Sequence, residues 1–155
     1  MNSIRELLAN DHRHCDDGFA EVEQAVRKGE WDKAEAAFLR FRDAVLRHLD
    51  IEENVLFPAF EDRTGMRMGP TQVMRNEHAQ MRDLLTLTGV ALTQRDADEY
   101  LGNAETLLIL TQQHNMKEEN ILYPMCDQHL SADRDGLLTI LSAGIASTAS
   151  AGGGV

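Results

Sequence analysis

Two histidines are each followed four residues later by a glutamate, His48 with Glu52 and His114 with Glu118. Imidazole and carboxylate both suit iron, manganese, zinc and related metals. Residues four apart on an α-helix lie one above the other on one face, so each pair can aim at one point. His12 and His78 each precede one of these pairs by 36 residues. The two sets repeat at a constant offset of 66 residues: His12 with His78, His48 with His114, Glu52 with Glu118. A single histidine on an apolar face is usually a hydrogen-bonded core residue, and a lone His-x-x-x-Glu is a common accident. A duplicated set at fixed spacing points to metal. A carboxylate has two oxygens, so one glutamate can bridge two ions. Two bridging glutamates and two histidines per ion make a nearly symmetric centre, with room for an oxo or hydroxo bridge and a small ligand. Burying these six residues without metal would be costly, so the metal-free form is expected to be looser.

The elements that must position these residues are helices. Ser3 with Glu6 forms a capping box, and Gly29 marks the first stop. Between them Ile4, Leu8, His12, Cys15, Phe19, Val22 and Val26 recur at helical spacing. Asp32 with Glu35 resembles a second start, and that helix bends or ends near Pro58. Residues 61–70 read as a loop. A third helix is expected from about Thr71 to Thr93, and a fourth starts at Asp96 and meets Pro124. A short fifth spans about Ala132 to Ala146, followed by a tail of small residues expected to fray. From His12 to the turn is ~25 Å and from the restart back to His48 ~23 Å, so both reach one level. Four long helices with short connections imply an all-α, up-down-up-down four-helix bundle.

Composition narrows the partners. The 155 residues suit one domain, and a 43% hydrophobic content supports a packed core. Few aromatics and many Leu, Ala and Met residues favour helices over strands. A formal charge of −11 should repel nucleic acid and anionic lipid, so neither is expected as a partner. Met1 to Asn10 lacks the apolar core of a signal peptide, and no stretch approaches the ~18 apolar residues of a membrane span. The cytoplasm is therefore expected, with Cys15 and Cys126 reduced.

The motifs Asp11-His12, HLDIEENVLFP, Asn76-Glu77-His78 and HNMKEENILYP resemble those of the hemerythrin-like HHE cation-binding family. The likeness covers about Ile4 to Leu130 and implies a bundle that holds two iron ions; zinc or manganese are alternatives. It assigns residues 1–130 to an HHE domain and leaves 131–155 as the short helix and flexible tail. Oxygen-carrying hemerythrins have a further histidine four residues from the one on the third helix. Here the positions four from His78 are Met74 and Arg82, a pattern closer to bacterial HHE proteins, including those of the iron-centre repair type. The resemblance implies a protein that binds or senses oxygen, nitric oxide or peroxide. The alternatives are a redox enzyme or iron donor for iron–sulfur cluster repair, and a bundle merely clamped by metal. No acid or base beyond the ligands is evident, so a binding protein is favoured over an enzyme. A ferritin-like protein would carry Glu-x-x-His, the reverse of the order here.

Other polar residues rank lower. His14 points ~200° away from His12. Glu53 and Glu119 also repeat and could replace or assist Glu52 and Glu118. Cys15 lies one turn after His12, as a small core residue or a redox group beside the metals. Tyr123 aligns with Phe57, so packing is its expected role. Asp16 and Asp17 should face solvent or support His12, and His129 should lie at the surface.

Overall fold

The computed structural model describes residues 2–147; the tail expected to fray lies largely outside them. Four long helices, α1 (Ile4–Arg27), α2 (Trp31–Ile51), α4 (Pro70–Thr93) and α5 (Ala97–Lys117), run alternately up and down. Each packs on its two neighbours, and α1 against α5 closes the ring. Short helices α3 (Phe57–Thr64) and α6 (Tyr123–His129) prolong α2 and α5, and α7 (Arg134–Ala146) lies across α1 and α2. There is no strand among the described residues, and no described helix is long and apolar enough to cross a membrane.

Local chemistry sets the ends. The Ser3 hydroxyl accepts from Glu6 N at 3.0 Å, as the capping box requires. The next free amides go to a distant residue: Ile4 N and Arg5 N donate to the Asp127 carboxylate at 2.8 and 3.1 Å, which ties α1 to α6. Gly29 ends α1 at φ 70°, with Glu30 N donating to Ala25 O and Gly29 N to Val26 O. The same pair of bonds ends α4, but Arg95 takes the left-handed position at φ 55°. Close approach also docks α7, where a Cβ on Gly144 would sit 2.6 Å from Ile51 Cγ2.

Two expected boundaries move. The α2 helix begins at Trp31 after Glu30, and Asp32 is not its cap; its carboxylate instead accepts from Arg95 at 2.8 Å. Residues 61–64 are helical, because nothing before Gly65 breaks the helix, and Glu61 is held by Thr71 and Arg75. Neither proline ends its helix. Instead both helices pass through a π-helical turn, Glu52–Leu56 and Glu118–Leu122, and resume as α3 and α6 with the proline in the first turn. A proline there needs no N–H partner.

Two apolar clusters fill the bundle. One, around Phe19, Phe38, Phe41, Leu85 and Tyr100, lies toward the Gly29 and Arg95 turns. The other, around Ile4, Leu8, Phe57, Phe60 and Leu122, lies toward the termini. Along each long helix, the histidines and glutamates fall between the two.

Candidate metal centre

His12, His48, Glu52, His78, His114 and Glu118 are all buried, and both glutamates are 0% exposed. Their inner atoms converge on one layer. His48 Nε2 and His78 Nε2 each lie 3.3 Å from Glu52 Oε1. His12 Nε2 and His114 Nε2 lie 3.2 and 3.1 Å from Glu118 Oε1. Two overlapping sets have donor atoms within 4.8 Å of one another: Glu52, His78, His114 and Glu118, and His12, His48 and Glu118.

Each histidine is oriented from behind by a carboxylate that accepts from its Nδ1–H. Asp11 holds His48 at 2.7 Å and Glu53 holds His78 at 2.7 Å. Glu77 holds His114 at 2.8 Å and Glu119 holds His12 at 2.8 Å. These four carboxylates obey the same 66-residue repeat, Asp11 with Glu77 and Glu53 with Glu119. A proton fixed on Nδ1 leaves Nε2 facing inward as a donor to metal. Cations anchor two of the four: Arg82 donates to Glu53 at 2.6 Å and Lys117 pairs with Glu77; the charges of Arg5 and Arg13 favour the ionised Glu119 from further off. Asp11 is itself buried, and its partner His48 keeps it ionised despite that burial.

The π-helical turns aim the rest. In an α-helix, a residue five positions on is ~140° around the axis. A π turn spans five residues, with Tyr123 N–H bonded to Glu118 O and Phe57 N–H to Glu52 O. Tyr123 therefore turns inward with Glu118. Its hydroxyl lies 2.6 Å from Glu52 Oε2 and 2.9 Å from Glu118 Oε1. It is also 3.2 Å from His12 Nε2 and 3.4 Å from His48 Nε2. The expected packing role for Tyr123 is thus corrected: the phenol reaches into the polar layer. The tyrosine-for-phenylalanine difference between the two repeats is the available signal, but the alignment with Phe57 points to packing. Phe57 stacks on His78 at 5.6 Å and brings no oxygen.

The electrostatics call for cations. Burial disfavours protonation of His78, but Glu118 and Glu52 outweigh it and push its pKa up to about 9. His12 and His48 also rise against burial, through Glu118 and Glu119 and through Glu52 and Asp11. Burial opposes ionisation of Glu118, yet His114, His12 and His78 hold its carboxyl well below the ordinary range. Even so, Glu52 Oε1 and Glu118 Oε2 are buried without a hydrogen-bond partner. His78 Nε2 and His114 Nε2 are 3.2 Å apart, so without metal one ring must carry a proton and donate to the other, a place a metal ion can take. Two orphaned carboxylate oxygens facing four inward nitrogens fit metal ions.

The model of the hemerythrin HHE cation binding domain matches residues 3–126. The chain belongs to the hemerythrin HHE family. No curated protein and no solved structure matches it. In this HHE domain Met74 is buried in the terminal apolar cluster, and Arg82 points to Glu53 and Asp50. Neither stands in for the further histidine of oxygen carriers. His14, Asp16 and Asp17 are exposed, and Glu119 takes the supporting role behind His12. His129 is exposed, with its ring edge-on to Phe60 at 5.9 Å. Cys15 and Cys126 are free thiols.

Proposed function

We propose that this HHE domain is a non-haem di-iron protein that binds or senses a small ligand such as oxygen, nitric oxide or peroxide. His12 and His48 would hold one ion, His78 and His114 the other, with Glu52 and Glu118 shared between them. Tyr123, hydrogen-bonded to Glu52 and Glu118, would lie beside the first ion. The observation that carries this reading is the pair of buried, unpartnered oxygens Glu52 Oε1 and Glu118 Oε2 amid four inward Nε2 atoms. Bound iron would supply open coordination positions and reversible redox chemistry. The chain contributes orientation through the four outer carboxylates and exclusion of water by the flanking apolar clusters. Two free thiols and an acidic surface favour a cytoplasmic protein without nucleic acid or membrane partners.

The test is an optical spectrum of iron-loaded protein, first anaerobic, then exposed to air or nitric oxide. A visible chromophore that changes with either gas is expected. An iron-loaded protein inert to both would refute the ligand-binding role. Zinc without iron after native purification would favour a metal clamp instead.

A further inference from the structure

An apolar cavity of about 20 Å³ lies one helical turn from the candidate metal layer, on the side of the Gly29 and Arg95 turns. Cys15, Val45 and Thr111 form its near wall; Phe19, Phe41 and Leu107 form its far wall. On their helices the near-wall residues sit three positions from His12, His48 and His114. The matching position beside His78 is Met81, which is buried and completes the ring of four. The repeat pairs Val45 with Thr111 and Cys15 with Met81. The void therefore lies where the first half has a cysteine and the second half a longer side chain.

The space exceeds the ~10–15 Å³ needed for one water-sized molecule. Its lining is almost wholly hydrocarbon, so water gains too few hydrogen bonds to remain. An apolar molecule of two atoms loses nothing there. Asp16, exposed, and Leu108 and Thr111, partly buried, border the cavity between α1 and α5 and mark the way in from solvent. Cys15 lies close enough to His48 for the two to interact electrostatically, and burial pushes its thiol up to about 12, so it lines the cavity as a neutral S–H.

We infer that this cavity is a holding site for small apolar molecules on their route to the metal layer, with Cys15 setting the width of the passage. The route rests on the proposed ligand-binding role; the cavity's preference for an apolar atom does not.

Xenon-pressurised crystals and nitric oxide kinetics test the two parts. Xenon is expected between Cys15, Phe41 and Leu107 in the wild-type protein and absent in Cys15→Met, which copies the second half's choice. In iron-loaded protein, Cys15→Met should slow both association and release of nitric oxide by about tenfold, an added barrier of ~1.4 kcal/mol, and leave the affinity unchanged. Cys15→Ala should keep the xenon and speed both steps, which covers the case in which the methionine variant does not fold. Wild-type crystals without xenon in the cavity would overturn the holding site. Unchanged nitric oxide rates in a methionine variant that has lost xenon would overturn the route. A wild-type protein that never binds nitric oxide would refute the proposed function, and the xenon result would then decide the holding site alone.

Discussion

The two halves of the candidate centre are near copies, and they differ where chemistry would notice. Around His78 and His114, Phe57 stacks on an imidazole and offers only hydrocarbon. Around His12 and His48, Tyr123 puts a hydroxyl 2.6 Å from Glu52 Oε2. The π-helical turns, the outer carboxylates and the glutamates repeat, so duplication accounts for the shared geometry. One phenolic oxygen then makes the two positions unequal. A small ligand would find the Phe57 side with fewer protein donors and the Tyr123 side more crowded.

The largest effect expected from breaking this arrangement is at the two glutamates, since His48 and His78 converge on Glu52 and His12 and His114 on Glu118. Glu118→Ala and Glu52→Ala should each lose both ions, as read by elemental analysis. In the metal-free state, Glu118→Ala leaves raised-pKa histidines without their counter-charge and should destabilise by ~3–5 kcal/mol in denaturant melts. Tyr123→Phe comes next, because it makes the halves alike. It should weaken metal at the His12 and His48 position about 10–100-fold and leave the other position unchanged, measured by competition with a chelator.

Carboxylates behind the histidines should rank by burial. Asp11→Asn, at a side chain 7% exposed, should lower metal affinity more than Glu119→Gln, at 28%. Equal losses in the two variants would show that burial does not set the strength of this support.

Protonation gives a further comparison, between the metal-free and metal-loaded protein. The folded pKa of His78, about 9, lies above its ordinary 6.5. A raised folded pKa stabilises fully below the unfolded value and is lost as pH rises through the folded one. Metal-free protein should therefore lose stability between pH ~6.5 and ~9. Loaded protein should not, since the ion replaces the proton, and metal uptake should release protons. Thermal melts of both forms across this window check the sign.

The smallest effect concerns the turns. Gly29 and Arg95 are repeat partners in the same left-handed conformation, which costs a non-glycine residue ~1 kcal/mol or more. Arg95 also pairs with Asp32 and Glu35 in exposed contacts worth little. Arg95→Gly should thus raise stability by less than ~1 kcal/mol, a small increase in melting temperature.

Much of this was legible in residue spacing. The four long helices follow from apolar periodicity and from turn residues such as Gly29, and the 66-residue repeat placed six polar side chains at one level. Part of what spacing misses lies in the two π-helical turns, which a count of 3.6 residues per turn cannot show. The alignment of Tyr123 with Phe57 points to packing, and only the turn brings its hydroxyl inward. The outer carboxylates were only half visible. Glu53 and Glu119 repeat beside the glutamates they follow, but which histidine each supports depends on the packing between halves: Glu119 reaches His12 from the far end of the chain. Asp32 looked like a cap because its pattern is right; its carboxylate instead pairs with Arg95.

The central claim is that four helices gather a two-metal donor set. Elemental analysis of natively purified protein, counted per chain beside a Glu118→Ala control, tests it most directly. The account predicts two iron ions per wild-type chain and almost none in the control. Wild-type protein that takes up no metal, or a control that retains both ions, would contradict it.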